Sequence, residues 1–310
     1  MIPFREYLER IRPAVNHRIE EVASGEGAID PGVLPLLVRG KRMRAGLLLC
    51  IHAGLARAAV PTRQALDLAC AVELAHAASL ILDDMLDGDT VRRGAPSLHL
   101  TRGEGRAVLD AVGILALPYV LAAPYGAGYV TMLASAQQNM ARGVAWEMLG
   151  GPELPAAELY DAIVARKTGC LFSLAAAWGA MAAGEEKAVV AAFADFGLSA
   201  GKAMQIADDI ADLQAPAAGD RDSRPGSETL LLRCVPGDNG TRQALGWILE
   251  REMDGAAARI ADEGRQRVPP EVWEPFGKVV RDIVGLTIGG GTPDGGTGVR
   301  VACPDTFPQR

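Results

Sequence analysis

Aromatic residues are scarce in this chain of 310 residues, at 5% of the sequence, although hydrophobic residues make up 49%. A core must therefore be built mainly from Ala, Leu, Val and Ile. The five cysteines are scattered and form no CxxC pair, which argues against a disulfide scaffold and indicates free thiols in a reducing compartment. The formal net charge of −7 disfavours nonspecific binding to nucleic acid, because its phosphates would be repelled. With no apolar signal core near the N-terminus, we expect a cytoplasmic protein.

No window shows the sustained alternation that a β-sheet requires, whereas helical periodicity recurs along the chain. The uncharged stretch 111–141 is long enough to span a bilayer, but Pro124 and its neighbouring glycines predict a break between two buried helices instead of a transmembrane segment. The fold class is therefore all-α, a single large helical bundle over residues 1–285, followed by a flexible Gly/Pro-rich tail at 286–310. The predicted helices are 3–24, 41–57, 64–87, 105–123, 126–150, 156–184, 187–213, 241–265 and 270–285.

Two aspartate clusters of the form DDxxD interrupt otherwise apolar helices. The first is Asp83, Asp84 and Asp87, and the second is Asp208, Asp209 and Asp212. In a helix the first and last aspartates of each cluster lie one turn apart on one face, with the second beside them. Like charges at this spacing repel and resist burial unless a cation compensates them. Carboxylate oxygens suit Mg²⁺, which shares its coordination shell with substrate phosphates. One such cluster could be a solvated helix face, but two matching copies favour a metal site.

Basic residues lie close to these clusters in sequence. Arg92 and Arg93 follow the first cluster, the run 39–44 (RGKRMR) precedes it, and Lys167 interrupts an Ala-rich helical stretch. Taken singly, the run could be a solvated face or an import signal, and the lysine a snorkelling side chain. Together with six aspartates and an apolar interior, they indicate a ligand with a diphosphate head and a hydrocarbon tail.

These segments resemble the trans-polyprenyl (isoprenyl) diphosphate synthases of the farnesyl/geranylgeranyl type. The resemblance covers about residues 1–285, and the family's motifs occur in its order and at about its spacing. The matching segments are GKRMR at 40–44, ELAHAASLILDDMLDGDTVRRGAPSLH at 73–99, KTGCLF at 167–172 and GKAMQIADDIADL at 201–213. The resemblance implies an isoprenoid synthase bundle around a deep central cavity, Mg²⁺ as cofactor, and a homodimer.

The resemblance also implies a role for each matching residue. Three Mg²⁺ ions are expected on the two aspartate clusters, and the substrates are expected to be isopentenyl diphosphate and an allylic diphosphate (dimethylallyl, geranyl or farnesyl). Arg92 and Lys167 match the residues that bind the allylic diphosphate, and Thr168 and Gln205 match the oxygens that face the developing allylic cation. The residues that match the isopentenyl diphosphate site are Gly40, Lys41, Arg44, His76 and Arg93.

The sequence departs from the family pattern in two places. The loop after Asp212 lacks the two usual lysines, and Arg221 is a candidate to replace the lost charge. The family's GQ..D segment keeps Gly143 and an acid, Glu147, but has lost its glutamine. Two alternatives therefore stay open: a non-catalytic or atypical subunit of a prenyltransferase complex, and a class I terpene cyclase.

In the farnesyl-making relatives that the chain resembles, the fifth position before the first cluster is usually a large aromatic residue, and here it is Ala78. The resemblance therefore implies an open cavity floor, lined by Ala75, Ala78 and Ser79, and a product of C20 or longer.

Overall fold

The computed structural model describes residues 3–25, 29–58, 60–214, 251–252 and 270–288. The predicted helix 241–265, apart from residues 251–252, lies outside these residues. So do Arg221 with its loop and the predicted tail beyond residue 288.

Helices dominate the described residues, which confirms the all-α prediction. Most boundaries fall within two residues of those predicted. The α-helices are α1 (Phe4–Ala23), α2 (Leu34–Val38), α3 (Met43–Ala56), α4 (Arg63–Asp87), α5 (Leu98–Arg102), α6 (Glu104–Ala122), α7 (Ala127–Leu149), α8 (Ala156–Val164), α9 (Cys170–Ala182), α10 (Lys187–Gln214) and α11 (Pro270–Ile288). Short 3₁₀ helices cover Pro31–Val33 and Ala123–Tyr125. The last helix extends three residues beyond the predicted domain boundary at residue 285.

Helix α4 is buried along most of its length and carries the first aspartate cluster at its C-terminal end. It begins at Thr62, whose Oγ1 accepts a hydrogen bond from the backbone N–H of Ala65 at 3.2 Å, and it ends at Gly88, which adopts the left-handed conformation at φ 70°. Its last turn contains no basic residue to offset the negative end of the helix dipole. The aspartates therefore stand where the backbone itself disfavours negative charge, which points to a functional reason for them.

A π-helical turn, Ala165–Gly169, separates α8 from α9 and divides the predicted helix 156–184. Glycines allow neighbouring helices to touch this turn backbone to backbone. A Cβ on Gly143 would lie 2.6 Å from the backbone nitrogen of Lys167, and a Cβ on Gly201 would lie 2.8 Å from Cα of Gly169. Helices α7 and α10 therefore clamp the turn that carries Lys167 and Thr168. Single π turns in otherwise α-helical segments are frequent at functional sites.

A two-stranded antiparallel ladder, β1 (Val91–Arg92) and β2 (Ala95–Pro96), follows α4 and was not predicted. Its tight turn has positive φ at both central residues, 54° at Arg93 and 73° at Gly94. That geometry is typical of hairpin turns, in which the first position is more often Asn, Asp or Gly. The ladder holds Arg92 and Arg93 beside the end of α4.

Two helices, α4 and the segment Glu104–Tyr125 that includes α6, are long and apolar enough to cross a membrane by length and composition alone. The most apolar window of α4 is 78% buried in the bundle, whereas that of Glu104–Tyr125 is only 44% buried. A core helix meets the same criteria, which accounts for α4. Helix α6 instead shows an apolar face to the outside. As predicted, a break at Ala123–Tyr125 separates α6 from α7.

Candidate active site

A single cavity of about 840 Å³ gathers most of the residues singled out in the sequence. Helix α4 presents one face to it, with His76, Leu80, Asp83 and Asp87 at successive turns. A volume of this size suits a small-molecule ligand that is largely enclosed. The predicted site residues that line it are Gly40, Lys41, Arg44, His76, Asp83, Asp87, Arg92, Arg93, Lys167, Thr168, Gln205, Asp208 and Asp209.

The three aspartates of the first cluster are used differently. Asp83 and Asp87 line the cavity, whereas Asp84 is only 3% exposed and is not among the lining residues. The Nε and Nη2 atoms of Arg92 both lie 2.5 Å from Asp84 Oδ1, and Nη2 also lies 2.6 Å from Asp89 Oδ2. Asp84 therefore fixes the Arg92 side chain at the cavity wall.

Burial makes the cavity-lining aspartates unusually hard to ionise. Desolvation raises the pKa of Asp83 to about 6; Lys167 opposes this shift, and the neighbouring Asp87 adds to it. Burial raises the pKa of Asp87 as well. Carboxylates held in this state favour an incoming cation, since a positive charge relieves both burial and mutual repulsion.

Lys167 is placed in the cavity by the π-helical turn and by Glu147 of α7. Its Nζ lies 2.5 Å from Glu147 Oε2. Burial would lower the pKa of Lys167, but the carboxylates of Glu147, Asp83 and Asp87 outweigh burial and raise it. The lysine is therefore charged at neutral pH and stands between α7 and the first aspartate cluster.

The second cluster enters the same cavity from α10. Asp208 is exposed, while Asp209 is 6% exposed and accepts two side-chain hydrogen bonds. Tyr160 Oη donates to Asp209 Oδ2 at 2.6 Å, and Gln205 Nε2 donates to Asp209 Oδ1 at 3.0 Å. Thr168 Oγ1 in turn donates to Gln205 Oε1 at 2.7 Å. Asp212 lies in the last turn of α10, one turn beyond Asp208.

A basic group lines another part of the cavity, near the N-terminus of α3 and the ladder. The guanidinium of Arg44 lies 4.7 Å from the ring centroid of Phe172, and burial lowers its pKa to about 10. Burial lowers the pKa of His76 to well below its ordinary value, and the charges of Arg44 and Arg93 lower it further. His76 is thus a neutral imidazole at pH 7. Lys41 Nζ donates to the backbone oxygen of Leu286 at 2.9 Å.

The apolar part of the cavity differs from the predicted open floor. Ala75 and Ala78 are fully buried in the core and are not among the lining residues. Leu80, Met140 and Leu171 line the cavity instead, and Ser79 is the only predicted floor residue that does so. Helix geometry explains the difference, because Ala78 lies nearly opposite the face of α4 that carries His76 and Asp83, and Ala75 lies about a quarter-turn from it.

Sequence reasoning missed two residues that build the site. Tyr160 precedes Lys167 by two helical turns, but its partner Asp209 is 49 residues away, so no local pattern marks it. Thr287 on α11 is buried and lines the cavity, beyond the predicted end of the domain.

Within the described part of the chain, no group of three or more His, Cys, Asp or Glu side chains could hold a metal ion by itself. Carboxylates of both clusters line the cavity, namely Asp83, Asp87, Asp208 and Asp209. Hard divalent ions accept such oxygen ligands, and Mg²⁺ completes its shell with water and substrate phosphate. The residues therefore fit a Mg²⁺ site that a phosphorylated substrate completes.

A helical bundle with a cavity that joins two aspartate clusters, several cations and an apolar wall defines an enzyme of the prenyltransferase type with an isoprenoid synthase fold. Comparison with known proteins agrees. The chain belongs to the polyprenyl synthetase family, whose model matches residues 33–222. This confirms the family that the sequence motifs indicated.

The relatives include a geranylgeranyl diphosphate synthase from Pseudescherichia vulneris, 36% identical over 73% of this chain and 74% of the relative. A geranylfarnesyl diphosphate synthase from Methanosarcina mazei is 32% identical over 65% of this chain and 68% of the relative. Among solved structures, a polyprenyl synthase from Caulobacter crescentus CB15, complexed with calcium and isoprenyl diphosphate, aligns at a TM-score of 0.66 with 25% identity. That alignment covers 90% of this chain and 96% of the other.

Proposed function

We propose that this protein is a Mg²⁺-dependent trans-prenyltransferase that condenses isopentenyl diphosphate with an allylic diphosphate and makes geranylgeranyl diphosphate (C20). The observation that carries this proposal is the single cavity that joins Asp83, Asp87 and Asp208 to Lys167 and to an apolar wall. Such a cavity suits a ligand with an anionic head and a hydrocarbon tail. The names of relatives such as the P. vulneris enzyme support the C20 product.

The six aspartates of the two clusters are the proposed metal-binding residues, for three Mg²⁺ ions. Asp83, Asp87 and Asp208 line the cavity and suit direct coordination, whereas Asp84 lies outside the lining and holds Arg92, and Asp209 lines the cavity but also accepts a hydrogen bond from Gln205. When bound, Mg²⁺ neutralises the departing diphosphate and so lowers the barrier to breaking the allylic C–O bond.

The proposed diphosphate-binding residues divide into two groups. Arg92 and Lys167 are proposed to bind the allylic diphosphate, because both lie beside the first aspartate cluster. Gly40, Lys41, Arg44, His76 and Arg93 are proposed to bind isopentenyl diphosphate. Arginine guanidinium groups suit this role since they donate two parallel hydrogen bonds to phosphate oxygens. Arg221 stays a prediction outside the described residues.

After ionisation, the cavity must hold an allylic cation away from water until the double bond of isopentenyl diphosphate attacks it. Thr168 and Gln205 present polar oxygens near that point, and Leu80, Met140 and Leu171 surround the tail with apolar surface. Loss of a proton then restores the double bond, and we propose the released diphosphate as the base. Neutral His76 is then a hydrogen-bonding group and not an additional charge.

The exposed face of α6 supports a homodimer. Val108, Leu109, Val112 and Val120 are 38%, 68%, 57% and 64% exposed, and they recur at helical spacing on one side. Exposed apolar stripes of this kind mark interaction surfaces. We also propose a cytoplasmic location, on the reduced cysteines alone.

A turnover assay tests the proposal. Labelled isopentenyl diphosphate is mixed with each of the dimethylallyl, geranyl and farnesyl diphosphates, with Mg²⁺ or with EDTA, and the dephosphorylated products are chromatographed. We expect geranylgeraniol with Mg²⁺ and no product with EDTA. Farnesol as the sole product would contradict the C20 assignment. Cyclic hydrocarbons formed without isopentenyl diphosphate would favour a terpene cyclase, and no product from any primer would favour a non-catalytic subunit.

A further inference from the structure

A chain of three side-chain hydrogen bonds connects α8, α10 and the π-helical turn. Tyr160 on α8 donates to Asp209 on α10 at 2.6 Å, Gln205 donates to the other oxygen of Asp209 at 3.0 Å, and Thr168 in the π turn donates to Gln205 at 2.7 Å. Because the π turn directly follows α8, these bonds tie both α8 and the π turn to α10. Tyr160 is 3% exposed and is not among the residues that line the cavity.

The direction of these hydrogen bonds follows from the charge of Asp209. An ionised carboxylate only accepts, so Gln205 must turn its Nε2 toward Asp209 and its Oε1 toward Thr168. The Thr168 hydroxyl then donates its proton to Gln205 Oε1. The lone pairs of Thr168 Oγ1 are therefore available to a group in the cavity. One buried charge thus sets the orientation of two polar groups.

We propose that Tyr160 is a positioning residue for the reaction: it fixes the Asp209 carboxylate, and through it the orientation of Gln205 and Thr168. The proposal rests on the proposed prenyl transfer, in which these two residues face the developing cation. A carboxylate at 6% exposure has little access to water, so the Tyr160 hydroxyl is not readily replaced when it is removed. Without it, the Asp209 carboxylate can turn, and Gln205 loses its fixed partner.

The test replaces Tyr160 with phenylalanine, which deletes one oxygen and keeps the buried ring. We expect kcat for condensation to fall about ten- to hundredfold, because groups that must face the transition state lose their alignment. KM for both diphosphates should stay within about twofold, since no atom of Tyr160 lines the cavity. A variant that damaged only the packing of α8 would instead lower the melting temperature, and it would not lower kcat selectively while KM stayed unchanged.

Tyr125 provides a matched control. Its hydroxyl also donates to a buried carboxylate, Asp67 Oδ2 at 2.7 Å, but this pair lies outside the residues that line the cavity. Tyr125→Phe should keep wild-type kcat, and its shift of melting temperature measured in EDTA should not exceed that of Tyr160→Phe, because Asp67 keeps its ion pairs with Arg18 and Arg63. All assays are run well below the lower melting temperature, so that loss of folded protein does not enter the rates.

A double-variant comparison separates action through Gln205 from an independent effect. Gln205→Leu removes the group that Tyr160 is proposed to orient, so adding Tyr160→Phe to it should lower kcat less than about twofold further, a non-additivity expected of coupled residues. A kcat for Tyr160→Phe within twofold of wild type, a rise confined to KM, or a full additional loss in the double variant would each overturn the proposal. Failure of the proposed function is distinct, because then the wild type itself forms no condensation product.

Discussion

Replacing Gly143 with alanine tests whether contact between α7 and the π-helical turn positions Lys167. A Cβ at residue 143 would lie 2.6 Å from the backbone nitrogen of Lys167 and 2.9 Å from Cβ of Arg166. The first distance falls 0.8 Å short of the 3.4 Å at which ordinary contact begins. The obstructing atom belongs to the backbone, so it cannot move aside by a side-chain rotation. The turn and α7 must separate.

The separation has two measurable consequences. Overpacking of this kind costs about 1–3 kcal/mol in free energy of unfolding, while replacing a helical glycine by alanine returns up to about 1 kcal/mol. We therefore expect a net loss of about 1–2 kcal/mol and a melting temperature lower by several degrees. Displacing Lys167 by close to 1 Å should lower kcat by about 10²-fold, because its ammonium group is then misaligned with the departing diphosphate.

Gly128 is the matched control, since it lies in the same helix with nothing within 4 Å of the position where a Cβ would stand. Gly128→Ala should leave kcat unchanged and should raise stability slightly or not at all. Both variants are assayed by differential scanning calorimetry and by condensation kinetics with saturating substrates. If Gly143→Ala retained the kcat of the control, the π turn would not depend on α7 and the positioning argument would be refuted.

Three further predictions concern charge, product length and assembly. Burial raises the pKa of Asp83 to about 6, so the ionised carboxylate destabilises the fold above that pH, and this penalty disappears below pH 4. In EDTA, Asp83→Asn should therefore raise the melting temperature at pH 7 and not at pH 4, and it should abolish turnover. Equal shifts of the melting temperature at both pH values would contradict this prediction. Met140→Phe should shorten the product toward C15 because Met140 lines the cavity, whereas Ala78→Phe should mainly lower stability because Ala78 is fully buried outside it; chromatography and melting of both variants decide between the two positions. Leu109→Lys should give a monomer mass by light scattering where wild type gives a dimer, and a wild-type monomer at micromolar concentration would remove the basis of this prediction.

The helices were predictable because local signals agree with the tertiary arrangement. The helix predicted at 64–87 is observed as Arg63–Asp87, with Thr62 as its N-cap and Gly88 as its C-cap. The π turn was not predictable from the pattern of 156–184, since the cause lies in close approach by Gly143 and Gly201 from other helices. The ladder was missed for a related reason: Arg93 adopts a left-handed conformation that its residue type does not favour.

The site likewise combines features that the sequence predicts with features that depend on tertiary contacts. The DDxxD spacing and apolar flanks were enough to place Asp83 and Asp87 on one helix face. Helix geometry puts Asp84 about 100° away from Asp83, but only the fold shows that it meets Arg92 across the end of the helix. The prediction of product length from Ala78 used the position that matters in related enzymes. In this protein the face of α4 that lines the cavity carries Leu80 and His76 instead of Ala78.

The last prediction concerns how metal and diphosphate bind together. Asp83 and Asp87 reach the cavity from the C-terminal end of α4, where burial and the helix dipole both oppose their charge, and Asp208 reaches it from α10. Neither cluster alone supplies three ligands among the described side chains, so phosphate oxygens must complete the shell. Mg²⁺ alone and inorganic diphosphate alone should each leave the melting temperature nearly unchanged, and the two together should raise it by several degrees, as expected for about 2.7 kcal/mol of stabilisation at a hundred times the dissociation constant. Asp83→Ala should abolish the joint shift, whereas the control variant Gly128→Ala should retain it. If Mg²⁺ alone gave the whole shift, the site would hold its metal without substrate and the shared-shell argument would be wrong.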